Sequence, residues 1–286
     1  MNIIKQAPAL IIAFLFIIPS IFAQVDYISA SDYIAKLKTD NNMVTVHAGK
    51  LKDYQTANLK GSILFSYKDT EKPGEIKGLM KSPEDLAKIL GKAGISQNNT
   101  IILYDEGTQK YSSRVYWLLK YLGVKEVYLL HKDIDAWRSA RVPLTAAQTT
   151  LKATTFEVNI NENLLATTDL VKTAPNNSKI VIVDARDTIE YNGTDGKSKG
   201  HIPSAIHINY KDFVTESGAF KSKEEIQAIV EKAGIRSDKE VILYCQTSIR
   251  GAVSYFAFKN ILGFENVKLY DGAVEEWQAT NNPFSK

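Results

Sequence analysis

Cysteine occurs once in this chain, at position 245. It follows the apolar run Val241-Ile242-Leu243-Tyr244 and opens the segment Cys245-Gln246-Thr247-Ser248-Ile249-Arg250, after which Gly251 leads into a helical pattern. A strand, a tight loop and a helix start aim backbone N–H groups and a positive helix end at one sulfur. That environment favours the thiolate, which is the nucleophilic form. A second group with chemical potential is Asp184-Ala185-Arg186, at the end of the apolar run 180–184. In a parallel sheet the strand ends gather at one edge, where ligands bind, so Asp184 and Arg186 are expected near Cys245. From there Arg186 could offer a bidentate fork to an oxyanion. The structural alternative is an ion pair of Arg186 with Glu190 or Asp187. Arg250 either holds an anionic substrate or pairs with a surface carboxylate. His201, in the turn Gly200-His201-Ile202-Pro203-Ser204-Ala205, could act as a base, but bonding its own turn is the favoured reading.

The elements that position these residues repeat. Residues 100–144 lie over 240–284 with a constant shift of 140 and no gap. Ile-Leu-Tyr at 102–104 meets Ile-Leu-Tyr at 242–244, Leu122-Gly123 meets Leu262-Gly263, Trp137 meets Trp277, and Pro143 meets Pro283. A repeat of this length is a duplicated domain rather than a solenoid unit. In the second copy buried strands are expected at 180–184, 205–208, 241–244 and 267–270, and helices at 223–233, 252–262 and 274–280. In the first copy the corresponding strands are 43–47, 101–104 and 127–130, and the helices 83–90 and 113–122. Buried strands alternating with helices imply an α/β fold with mainly parallel sheets covered on both faces. The expected units are a first domain over 24–145, a polar linker over 146–163 and a second domain over 164–286. Phe156, Val158 and Ile160 alternate, so part of the linker is expected to lie extended against a domain.

The repeat is also an internal control. Asp105 stands opposite Cys245, His47-Ala48-Gly49 opposite Asp184-Ala185-Arg186, and Lys110 opposite Arg250. The scaffold is kept while the nucleophile is not, so the second copy is the candidate for chemistry.

Residues 9–18 are an unbroken apolar run, preceded by Lys5 and followed by Pro19 and Phe22-Ala23-Gln24. This is the pattern of a secretory signal peptide over 1–23, and it implies an exported, periplasmic protein. A retained anchor is the alternative, but the run is short of the roughly 20 residues a spanning helix needs. The chain of 286 residues carries 35 Lys+Arg against 32 Asp+Glu with no basic stripe, which argues against nucleic acid as a partner. One cysteine forms no internal disulfide, so in an oxidising compartment this thiol is either inert or kept for chemistry. No Cys–His metal spacing, P-loop or dinucleotide fingerprint occurs, and neither a metal nor a cofactor is expected.

These motifs resemble the rhodanese family, specifically its tandem two-domain sulfurtransferases. The residues that carry the resemblance are Asp184-Ala185-Arg186, Tyr191-Asn192-Gly193, Gly200–Ala205, the 245–250 loop, and Tyr270-Asp271-Gly272 with Trp277. The resemblance implies that the Cys245 thiolate takes the outer sulfur of thiosulfate, releases sulfite, and passes the sulfur from a persulfide to cyanide or a thiol. It implies further that the backbone of Gln246, Thr247, Ser248, Ile249 and Arg250 holds the persulfide, that Arg186 and Arg250 steer the anion, and that Asp184 supports them. The partners are then a small anionic donor and a thiophilic acceptor, and a monomer is expected because two domains already form a cleft. Ser248 departs from the glycine common in family loops, and the loop lacks the lysine two residues after cysteine found in some thiosulfate-using members. The 3-mercaptopyruvate branch is therefore the alternative enzyme, and a non-enzymatic periplasmic sulfur carrier the alternative of another class. A cysteine phosphatase is disfavoured, because four residues rather than five separate Cys245 from Arg250.

Overall fold

The computed structural model describes residues 25–286 apart from Thr108, so the expected signal peptide lies outside the described residues. No helix among them is long and apolar enough to cross a membrane.

Two five-stranded sheets, parallel throughout, form the centres of two units. The first runs in the order Tyr27–Ile28, Val127–Leu130, Thr100–Tyr104, Met43–His47, Ile63–Leu64. The second runs Ile206–His207, Ile180–Asp184, Glu240–Tyr244, Val267–Tyr270, Leu165–Ala166. Their strands are β-branched and aliphatic, and the central strand of each is buried along nearly its whole length, as helices on both faces require. His47 pairs with Tyr104 as Asp184 pairs with Tyr244, so the two sheets share one register at their carboxyl ends.

The expected helices form with shifted ends. Lys223–Lys232 begins at Ser222, whose side chain and that of Glu225 close a reciprocal capping box. The helix expected over 252–262 starts earlier, at Ile249, and after Phe256 continues as a π-helical turn, Ala257–Ile261. Its first-copy counterpart, Lys110–Tyr121, is α-helical throughout.

These two helices pack on each other and join the domains. Tyr116 meets Phe256 edge-on at 4.9 Å between ring centroids. One apolar cluster runs from Val46, Trp117 and Leu119 to Leu243, Val253 and Phe256, so the two sheets share a core. Each fully buried side chain of this size contributes roughly 1.5–3 kcal/mol. The linker is extended but, among the described residues, pairs with no strand. It follows the first domain, with Thr154 N donating to Gly91 O, Asn159 N to Leu122 O and Asn161 N to Tyr121 O, while Phe156 is buried.

Candidate functional site

Cys245 lies at the carboxyl end of the central strand Glu240–Tyr244 and is 1% exposed. Cys245 O accepts from Val274 N at 3.2 Å, and Gln246 O from Glu275 N at 3.3 Å. Gln246 Nε2 donates to Glu275 Oε1 at 2.8 Å. Ser248 sits in the left-handed region with φ 58°, fully buried, and its hydroxyl donates to Tyr270 O. The conformation explains why glycine suits this position, and the hydroxyl bond is what serine adds. Ser248 therefore faces the fold with its side chain, and Ile249 packs against the core. What the loop can present to an anion is mainly backbone N–H groups at a helix start.

The first copy shows what such a loop holds. Asp105 Oδ1 accepts from Gly107 N (3.0 Å) and Gln109 N (3.2 Å). Asp105 Oδ2 accepts from Tyr111 N (2.9 Å), Ser112 N (2.8 Å) and Ser112 Oγ (3.1 Å). An anion two bonds from Cβ is thus wrapped by the loop. A persulfide on cysteine would place its outer sulfur, also two bonds from Cβ, in the same position.

The equivalence of the loops corrects the gapless alignment. The left-handed residue before the helix is Gln109 in one copy and Ser248 in the other, and Ser113 N→Gln109 O matches Ala252 N→Ser248 O. The second loop is one residue shorter. The π turn at 257–261, where Leu262 N reaches back to Ala257 O, restores the register by Leu262. Lys110 consequently corresponds to Ile249 and not to Arg250, whose counterpart is Tyr111. The second-copy N–H donors matching those of Tyr111 and Ser112 belong to Arg250 and Gly251. A gapless alignment hides Gly251, because it sets Gly251 opposite Tyr111 rather than Ser112.

The acids expected as the structural alternative for Arg186 belong instead to Arg250. Arg186 is fully buried, and its fork faces inward: Nε lies 3.0 Å from both Asp184 oxygens, Nη2 donates to Asp184 Oδ2 at 2.6 Å and to Gly200 O at 2.7 Å. It braces the end of the strand Ile180–Asp184 against the turn at Gly200 rather than opening toward an oxyanion, and it pairs with neither Glu190 nor Asp187. A buried guanidinium needs such a partner, because unpaired charge is costly away from water. Those two acids belong to Arg250, which donates to Glu190 at 2.5 and 2.8 Å and lies 3.5 Å from Asp187. Burial alone would lower the affinity of Arg250 for its proton, but the Glu190 bonds and the Coulombic attraction of Cys245 raise it. Arg250 is therefore a fixed cation within electrostatic reach of the sulfur. Burial pulls the other way on Glu190 too, and the bonds from Arg250 hold its carboxyl below the usual range.

His201 is buried, stacks on Tyr191 at 3.8 Å, and its Nδ1 lies 3.1 Å from Tyr191 O, so the ring bonds the end of the helix Thr188–Tyr191 rather than its own turn. Asp184 also accepts from the Tyr244 hydroxyl at 2.7 Å, and that hydroxyl accepts from Ile202 N. In the first copy His47 replaces Asp184 and pairs with Glu106 at 3.2 Å. Burial opposes ionisation of Glu106, yet bonds from His47, its own backbone and Asp53 bring it down to about 2.

The model of the rhodanese-like domain matches this chain twice, over residues 30–140 and 167–280. A sulfur carrier protein, TtuD of Thermus thermophilus, is 32% identical over 68% of this chain and 74% of its own. A putative thiosulfate sulfurtransferase of Haloferax volcanii is 28% identical over 78% of this chain and 81% of its own. The 3-mercaptopyruvate sulfurtransferase of Escherichia coli is 28% identical over 79% and 82%. Among solved structures, SseA of Escherichia coli, a 3-mercaptopyruvate sulfurtransferase, superposes with a TM-score of 0.78 at 25% identity, covering 87% of this chain and 98% of that one. EanB bound to ergothioneine shares the fold, with a TM-score of 0.81 at 20% identity over 91% and 70%.

Proposed function

The chain belongs to the rhodanese family of sulfurtransferases, and from that premise we propose that it moves a sulfane sulfur from thiosulfate to a thiophilic acceptor through a persulfide on Cys245. The observation that carries this reading is Asp105, an anion wrapped by the first copy's loop where the second copy has a cysteine. The Cys245 thiolate attacks the outer sulfur of thiosulfate. A new S–S bond forms, the old one breaks, and its electron pair leaves with sulfite. The persulfide anion sits against the N–H groups of the loop, those of Ser248, Arg250 and Gly251 above all. Cyanide then attacks the outer sulfur, thiocyanate leaves, and the Cys245 thiolate returns. Arg250 supplies a fixed positive charge beside both anionic states, while Asp184 and Arg186 hold the strand ends that set the loop's origin.

3-Mercaptopyruvate is the competing donor, supported equally by a relative named for it. Its C–S bond would break with the electron pair leaving as enolpyruvate, which takes up a proton. A carrier role, in which the persulfide waits for a partner protein, is favoured by the similarity to TtuD. One assay separates these readings. Purified protein with thiosulfate and cyanide is expected to yield thiocyanate in many turnovers. A single turnover per Cys245 favours the carrier, and faster turnover with 3-mercaptopyruvate favours the other donor. The leader-like pattern of residues 1–23 supports export, which N-terminal sequencing of protein from the cell envelope would test, with Gln24 as the expected first residue.

A further inference from the structure

The two halves of the domain interface are built from equivalent elements that differ in length. In each domain a loop closes on itself through one antiparallel bridge: Glu71 with Met80 in the first, Val214 with Phe220 in the second. The first encloses residues 72–79 and the second 215–219, so the first is three residues longer. This longer strap crosses to the second domain. Gly78, at φ 80°, lies so close to Thr247 that a Cβ would fall 2.5 Å from Thr247 Cβ and 2.9 Å from Thr247 O. Arg114, 2% exposed, donates through Nη2 to Gly78 O at 3.2 Å and pairs with Asp271. Asp271 in turn accepts from Met80 N at 2.9 Å, and the Arg114 guanidinium lies 4.9 Å over the Trp117 ring. One buried ion pair therefore ties both ends of the strap segment 78–80 to the strand end that follows Tyr270. The strap meets the catalytic loop two residues from Cys245.

The matching place in the other half is closed differently. Tyr27 packs on His131, Phe220 and Phe256, and its hydroxyl accepts from Phe220 N (3.2 Å) and Gln109 Nε2 (3.1 Å). An aromatic plug seals the half that holds Asp105, and a charged clasp holds the half that holds Cys245.

We propose that strap 71–80, held by Arg114 and Asp271, is a positioning element of the catalytic loop, fixing Thr247 and restricting access to Cys245 to small donors. Arg114 and Gly78 act through Thr247 rather than on the reacting atoms, and so are positioning residues. The proposal rests on the reading of Cys245 as the reacting thiol.

The test compares Gly78→Ala, Asp271→Asn, and a shortened strap lacking residues 74–76 with native protein. The tip is exposed at Gly74, where an added Cβ meets nothing within 4 Å, so shortening there leaves the packed ends in place. Tyr27→Phe is the control, since it weakens the other half of the same interface. The first readout is the alkylation rate of Cys245 by iodoacetamide, followed by intact mass, which needs no sulfur donor. The second is kcat and KM for thiosulfate and 3-mercaptopyruvate. Release of the strap is expected to raise the alkylation rate at least fivefold and lower kcat about tenfold with the better donor. It is also expected to narrow the preference between donors, while Tyr27→Phe stays within twofold on each measure. Arg114→Lys, which keeps the charge, is expected to fall between native protein and Asp271→Asn. Unchanged alkylation and kcat in the shortened strap, or equal effects in Tyr27→Phe, would overturn the proposal. Native protein that is alkylated at Cys245 but transfers no sulfur would instead overturn the functional reading, and alkylation would still judge the strap.

Discussion

The loop after Tyr104 and the loop after Tyr244 leave equivalent strand ends and carry opposite contents. The first holds an anion of its own. Asp105 takes its N–H groups, and Lys132 takes its carbonyls, with Nζ 2.6 Å from Glu106 O and also bonded to Gly107 O. The second has Cys245 and Gly272 at the two corresponding places, so both built-in charges are gone. The scaffold calls for an anion at the loop's centre in either copy. Where the chain supplies it, the loop is inert structure. Where the chain supplies Cys245, the proposed persulfide would supply the anion. The loop is also one residue shorter there, and the π turn absorbs the difference.

The largest effect expected from breaking this contrast is at the nucleophile. Cys245→Ser should lower thiocyanate formation by roughly 10³-fold or more, the scale of losing covalent catalysis. Asp105→Ala should do the opposite kind of damage: activity per folded molecule stays near native, while urea unfolding shows a loss of about 2–4 kcal/mol, because several buried N–H groups lose their acceptor. Loss of activity with intact stability in Asp105→Ala would show that the copies are coupled in chemistry and not only in packing.

Glu190→Gln sharpens the contrast through pH. Pairing with Arg250 lowers the Glu190 pKa on folding, so its contribution is present above the unfolded value near ~4.3 and is lost as pH falls through the folded one. Native protein should exceed the variant by about 1–2 kcal/mol at neutral pH. The gap should close as the solution is acidified below pH ~4. A gap that persists at low pH would mean that the pair is not the source of the stability. The smallest effect is expected at Ser248→Gly, where relief of the left-handed backbone offsets the lost bond to Tyr270 O. Stability should change by less than about 1 kcal/mol, and a larger fall would show that the hydroxyl fixes the loop.

Much of this was legible in the sequence. The β-branched runs ending at Asp184 and Tyr244 state the parallel sheet, and the Ile-Leu-Tyr repeat states the duplication. Cys245 stands out as the single cysteine, at a strand end that leads through a short loop into a helix, and the repeat sets Asp105 opposite it. The partners of Arg186 and Arg250 were not legible, since Asp184, Asp187 and Glu190 lie within six residues and only the strand–turn geometry assigns each to its arginine. The shorter loop was hidden because a one-residue loss in the loop and a one-residue gain in the helix that follows it leave the alignment without a gap. The strap was hidden for another reason: its contact with Thr247 is close backbone packing, and Gly78 carries no side chain to announce it.

The anion proposed for the Cys245 loop is a persulfide on that cysteine. Intact-mass spectrometry of the native protein after brief treatment with thiosulfate tests it most directly. The expected result is a gain of one sulfur atom, located on the peptide containing Cys245, removed by cyanide with release of an equal amount of thiocyanate, and absent in Cys245→Ser. A native mass that is unchanged by thiosulfate and by 3-mercaptopyruvate, while the thiol still reacts with iodoacetamide, would contradict it.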